Sequence, residues 1–205
     1  MNPASFSPSE AAAPLPAALQ GLLSRYSLGI KHLGEPGPDD AALRLMTEAA
    51  LHAPDHAGLV PFRFKLVRGE ARARLAELFV QVALEAGKTA EAAQIDAERA
   101  QRAPVTLAVL ARIDLGHPLV PAHEQWVALG GALANLMNAA HLLGYAGKML
   151  SGAKVRHPKV QAAFCGPGET LVGWVALGTP LRPPSPGHAK PGAAEVLGEW
   201  LGPLG

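Results

Sequence analysis

From Trp126 to Leu143 the chain carries no Asp, Glu, Lys or Arg, about five turns of helix without a formal charge. Such a stretch has two homes, a protein interior or a bilayer. Its length is near the lower limit for spanning a membrane. Gly130, Gly131, Asn135, Asn138 and His141 interrupt its apolar character, so a helix enclosed on most sides by protein is expected instead. Its small residues would admit another helix at close range. The rest of the chain must fold around it, and 205 residues suffice for one well-packed domain rather than two. Left open on a lone chain, so wide an apolar surface would be an association liability. A homodimer with this helix at its interface is therefore expected.

Charge narrows the partners. Charged residues are 17% of the chain, the formal net charge is +1, and the basic residues are scattered. Nothing there favours nucleic acid or an anionic membrane surface. Cys165 is the only cysteine, which rules out an intrachain disulfide and points to a reducing cytoplasm. Residues 1–16 are rich in Pro, Ser and Ala, lack the basic and apolar regions of a secretory signal, and should be loosely held. One domain is expected over 17–205, with a Pro-rich C-terminal extension over 181–205.

A second landmark is the segment from Glu48 to Phe64. A helix starting near Pro38-Asp39-Asp40 should bury Leu43, Met46 and Ala50, with Ala42, Leu45 and Ala49 broadening the stripe. Pro54 stops it after His52. Asp55 and His56 then sit in a polar turn where helix, loop and strand meet, a common setting for a ligand site. Beyond Gly58, Phe62, Phe64 and Leu66 alternate with Arg63, Lys65 and Val67, the pattern of a half-buried strand.

The other elements follow by the same reasoning. A short helix over Ala17–Ser24 leads into Arg25-Tyr26-Ser27, and Gly34–Pro38 reads as loop. Leu75, Leu78, Phe79 and Val82 mark a helix opened by Gly69-Glu70. Thr89 caps a polar helix running to Arg102, and Val105–Ala111 is a strand covered on both faces. After the long helix, stopped by Gly144, come a strand over Tyr145–Leu150 and a short helix over Val155–Phe164. A buried strand over Thr170–Leu177 is ended by Gly178-Thr179-Pro180, and Ala193–Leu201 has the makings of a terminal helix. The order implies an α+β fold.

Several chemistries lack their residues. His52 and His56 have the spacing of two zinc ligands on one helix, but Pro54 destroys that face, so no metal is expected. No glycine fingerprint for a dinucleotide-binding Rossmann unit, no P-loop and no nucleophile elbow is present. Cys165 sits beside Gly166-Pro167-Gly168 without a nearby base, as an incidental thiol would. If the segment after the first helix is extended, Arg25 and Ser27 point to one side. A guanidinium and a hydroxyl so placed suit a phosphate.

Arg25-Tyr26-Ser27, Ala53-Pro54-Asp55-His56 and Pro61-Phe62, taken in order, resemble the flavin-dependent nitroreductase family, especially its compact bacterial (YdjA-like) subgroup. Val120-Pro121, Glu124-Gln125, Gly144-Tyr145-Ala146-Gly147, Ser151-Gly152, Val172-Gly173 and Leu177-Gly178-Thr179-Pro180 continue the match across roughly residues 18–183. The resemblance implies a mixed sheet flanked by helices and an intertwined homodimer with FMN at the subunit interface. It further implies ping-pong hydride transfer from NAD(P)H to the flavin, and then to a nitroaromatic, quinone or similar flat acceptor. On this resemblance Arg25, Tyr26 and Ser27 grip the FMN phosphate, while His52, Pro54, Asp55 and His56 line the flavin. Met149, Leu150 and Ser151 contact it, and Ala139, Ala140, His141, Leu142, Leu143 and Gly144 meet the nicotinamide cofactor. The flavin carries the chemistry, so no protein acid, base or nucleophile is expected. Two positions depart from the pattern: Tyr26 replaces a residue that is often basic, and Leu150 replaces a basic one. Lys148, two residues earlier on the same face of a strand, could supply the missing cation. A flavin-binding or sequestering module with little turnover is the alternative on the same scaffold, and a structural homodimer without flavin is a second.

Overall fold

The computed structural model describes residues 14–184 and 189–202. Most of the loose segment expected over 1–16, and His188 within the C-terminal extension, lie outside the described residues. Five strands form the sheet: β1 (Leu33–Gly34), β2 (Phe62–Arg68), β3 (Val105–Ala111), β4 (Ala146–Leu150) and β5 (Thr170–Pro180). Around it lie α1 (Ala17–Ser24), α2 (Asp40–Leu51), α3 (Ala71–Glu85), α4 (Ala90–Gln101), α5 (Ala122–Leu142), α6 (Pro158–Phe164) and α7 (Ala193–Val196). The expected α+β class holds.

β5 is the spine of the sheet. It pairs antiparallel with β3, with β4 and, at its far end, with β1, while β2 pairs antiparallel with β3. The mixed character expected of the sheet reduces to one isolated parallel bridge, Ser27 to Gly147. Two helical layers cover the sheet. Leu43, Met46 and Ala50 of α2 and Leu129, Ala132, Leu136 and Ala140 of α5 pack on Val105, Leu107, Val109, Val175 and Leu177. On the opposite face, Leu75 and Val82 of α3 and Val160 of α6 meet Ala108, Leu110 and Trp174.

Local signals set the helix ends. The Asp39 side chain accepts a hydrogen bond from the Ala42 amide at 2.8 Å, and the Thr89 hydroxyl accepts one from Ala92 at 3.2 Å, each satisfying an orphan donor of the first turn. Gly144, at φ +87°, follows α5 where a left-handed residue is needed. Gly131 lets α5 approach the end of α2 closely: a Cβ there would lie 3.2 Å from the Ala53 methyl.

Tertiary pairing overrode several expectations. Gly178, Thr179 and Pro180 continue β5 rather than end it, because they find partners in Ala146, Gly34 and Leu33. The same pairing makes Leu33–Gly34 a strand where loop was expected to begin. The helix expected over Val155–Phe164 is broken: residues Ala153–Arg156 form a 3-10 turn, and α6 starts afresh at Pro158 with His157 as its cap. The terminal helix spans only Ala193–Val196. Leu45 is exposed, and in β2 Leu66 is exposed while Val67 is buried. β2 is an edge strand, and the α2/α5 layer no longer covers it at Leu66, whereas Val67 packs under α3. Among the described residues α5 is enclosed on one flank only. Trp126, Val127 and Leu142 on its other flank are exposed. Among the described residues no helix is long and apolar enough to cross a membrane.

Candidate functional site

The chain leaves α1 in extended conformation, Arg25 having φ −60° and ψ 131°. Ser27 then bridges Gly147, and the Leu28 amide donates to the Gly147 carbonyl at 3.2 Å. Arg25-Tyr26-Ser27 is thereby laid alongside β4. Arg25 is half-buried and, among the described residues, forms no ion pair. A guanidinium so held is available to an anion. The Tyr26 ring meets His141 edge-on with centroids 5.9 Å apart, and His141 Nε2 lies 2.9 Å from the Ser24 hydroxyl. The C-terminal end of α5 and the Arg25 segment therefore form one surface. Leu142, Leu143 and Gly144 are exposed on it, whereas Ala140 is buried in the core and Ala139 packs against that core.

β4 leads from this surface to a cavity of about 570 Å³, within the range of small-molecule sites. Its floor is Thr106, Trp174 and Ala176 of the sheet; Leu75, Phe79 and Val82 of α3 and Ala100 of α4 wall one side, and Leu150, Ser151 and Gly152 form a rim. Trp174 is fixed between Phe79 and Phe164, edge-on to both at 5.8 and 4.8 Å. Leu150 pairs with Trp174 and Lys148 with Ala176, so Lys148 and Leu150 share a sheet face as expected. Lys148 is exposed and outside the cavity lining, and Met149 turns to the other face, against the α2/α5 core.

One end of the cavity is charged. Asp96, its side chain only 6% exposed, receives both Lys88 Nζ and Lys154 Nζ at 2.7 Å on the same oxygen, and Arg99 lies 3.8 Å from the other. Burial pushes the Asp96 carboxyl up, but the hydrogen bonds from Lys154 and Lys88 pull harder and hold it below the usual carboxylate range. Lys154 also lies 5.5 Å from the centre of the Phe79 ring. None of these charged residues stood out in the sequence. One signal was there: Asp96 shares a helical stripe with Ala93, Ala97 and Ala100, small residues that bury a face of α4.

The turn after α2 lies elsewhere. His52 ends α2, Asp55 Oδ2 accepts from the Val60 amide at 2.7 Å, and His56 Nδ1 lies 2.7 Å from Glu124 at the start of α5. Ala57 and Val60 adopt positive φ, 63° and 47°, a strained backbone of the kind concentrated at functional sites. Pro54 packs beside Gly131 of α5. His56 is thus tied to the first turn of α5 and Tyr26 to the last, about 25 Å apart along the helix axis. Within one chain the structure brings Arg25, Tyr26, Ser27 and His141 together, and Leu150 with Ser151. It does not bring His52, Pro54, Asp55 and His56 to them.

The structure is thus an antiparallel sheet between helical layers, with Arg25 beside one end of the edge strand β4 and a lined cavity at the other. The chain belongs to the nitroreductase family of oxidoreductases, which it matches over residues 23–179. The putative NAD(P)H nitroreductase YdjA of Escherichia coli K12 is 34% identical over 164 residues, covering 80% of this chain and 88% of that one. A nitroreductase-like protein from Bacillus cereus superposes with a TM-score of 0.76 at 19% identity, over 94% of this chain and 100% of that one. The FMN- and NADPH-dependent nitroreductase NfnB from a Sphigopyxis strain does so at 0.68 and 20% identity, over 91% and 100%.

Proposed function

We propose that the protein is an FMN-dependent NAD(P)H oxidoreductase. The observation that carries this is the spacing along β4. Ser27 bridges Gly147, and Leu150, at the cavity rim, lies three residues on, about 10 Å at strand rise. That is the reach of a five-carbon ribityl chain between a phosphate and a flat ring system. The residues fit the group: a half-buried arginine and a hydroxyl for the phosphate, apolar walls for the xylene side, and charged groups for the polar edge of the ring. When bound, FMN would take a hydride from NAD(P)H and pass two electrons to a flat acceptor, such as a nitroaromatic or quinone, that enters after the nicotinamide leaves.

The protein's own work is placement. Arg25 and Ser27 anchor the phosphate by charge-assisted hydrogen bonds. Tyr26, pinned against His141, holds that segment against the end of α5, where His141, Leu142 and Leu143 offer a surface to the nicotinamide cofactor. Leu150 and Ser151 border the ring and, with Trp174 beneath, keep water from that side. His52, Pro54, Asp55 and His56 belong to the opposite end of α5 from the Arg25 segment, and on this reading they serve the partner's flavin. In a two-fold dimer with α5 packed antiparallel on its copy, the turn of one chain comes to the His141 end of the other. Exposed Trp126 and Val127 supply apolar area for that contact. Sedimentation should find a dimer at micromolar concentration, and Val127→Glu should shift it to monomer. A wild-type monomer would contradict the composite site.

The test of function is anaerobic. Protein loaded with FMN should be yellow and should bleach on addition of NADPH or NADH, recovering its colour with a quinone. Flavin that binds and stays oxidised would mark a sequestering module, the reading favoured by the absence of charge at Leu150. Protein that takes up no FMN would defeat both.

A further inference from the structure

The charged end of the cavity holds three cations against one carboxylate, and all four residues line the same space as Leu150 and Ser151. Lys88 comes from the α3–α4 connection and Lys154 from the 3-10 turn that follows the Ser151-Gly152 rim. Both converge on Asp96 Oδ2 at 2.7 Å. One buried carboxylate therefore fixes two ammonium groups from separate elements, and its charge cannot neutralise both. Lys154 is the more enclosed, its side chain 24% exposed against 45% for Lys88. Solvent screens Lys154 less.

An amphipathic ring system entering this cavity has its apolar edge matched by Leu75, Phe79, Val82 and Leu150, and its polar edge by the lysines. Hydride transfer leaves NAD(P)⁺ behind, puts two electrons and a proton on the ring, and leaves a negative charge at its pyrimidine edge. Preorganised cations at that edge favour the reduced form over the oxidised one. We propose that Lys154, with Lys88 beside it and Asp96 holding both, sets the redox potential of the bound flavin, the role first assigned to Lys148. Lys154 is a tuning residue, Asp96 a positioning residue, and the inference rests on the FMN reading above.

The experiment compares two quantities for wild type and variants: the dissociation constant of oxidised FMN, from flavin fluorescence, and the two-electron potential of the bound flavin, from anaerobic dye equilibration. Lys154→Met should lower the preference for reduced over oxidised flavin about tenfold, about 30 mV downward for a two-electron couple. Lys154→Arg should restore it. Asp96→Asn, which removes the counter-charge but leaves an amide oxygen to accept from the lysines, should move the potential upward. Lys159→Met, which removes a cation paired with Glu85 outside the cavity, should leave the preference for reduced over oxidised flavin within twofold. Should Lys154→Met fail to fold, Lys88→Met carries the same expectation with a smaller shift. A purely structural clamp would weaken oxidised and reduced flavin alike and leave the potential where it was, which would overturn the proposal. So would a larger shift in Lys148→Met than in Lys154→Met. Wild-type protein that binds no FMN overturns the functional reading itself, and is told apart because no potential can then be recorded.

Discussion

Facing α2 and α5, the sheet presents Val105, Leu107, Val109, Val175 and Leu177, every one at most 5% exposed and packed on Met46, Ala132 and Leu136 at 0%. Facing α3 and α4, it presents Thr106, Trp174 and Ala176 and leaves a cavity with Asp96 at one end. The same strands build both faces, alternate side chains going to each. The first face is close-packed and apolar, which anchors the fold. The second keeps a hollow and a partly neutralised charge cluster, features that cost stability and persist where a ligand uses them. The difference teaches where to look for function: on the face where packing is incomplete.

That contrast can be broken at three points. Leu136→Ala, on the packed face, should cost about 2–5 kcal/mol in urea unfolding and leave FMN affinity of the folded protein unchanged. A loss under about 1 kcal/mol would mean that this face is less tightly built than described. Arg25→Ala touches neither core. It should weaken FMN binding about tenfold to a hundredfold, the worth of one hydrogen bond to a charged group, with the unfolding midpoint unmoved. Equal losses of stability and affinity would make Arg25 a structural residue.

The smallest effect is the dependence on pH. Asp96 is held below the ordinary carboxylate value in the folded protein by its two lysines. Its contribution is therefore present above the unfolded carboxylate pKa and is lost as pH falls through the lower folded one. Asp96→Asn should flatten the acid limb of the stability profile relative to wild type, measured as unfolding midpoint against pH. Superimposable acid limbs would show that the network contributes nothing there.

The sequence was legible where local chemistry decides structure. Asp39 and Thr89 cap the helices they announce, Pro54 ends α2, Gly144 ends α5, and the apolar run at Val105–Ala111 is the buried strand it reads as. It was illegible where long-range pairing decides. Nothing local makes Leu33–Gly34 a strand or carries β5 through Gly178 and Pro180; partners distant in sequence do. The Arg25–Ser27 end of the proposed site was legible from residue types and resemblance, because two side chains on one extended segment need only alternation, and the segment is extended. The charged end could not. Lys88, Asp96 and Lys154 sit on three separate elements, and only the closure of α3, α4 and the 3-10 turn over Trp174 makes them neighbours.

The most direct test is a crystal structure of the protein grown with excess FMN. The account predicts the phosphate on Arg25 and Ser27, the ring bordered by Leu150 and Ser151, and its polar edge toward Lys154. Density for the flavin elsewhere, with the Arg25 guanidinium turned to solvent, would contradict it.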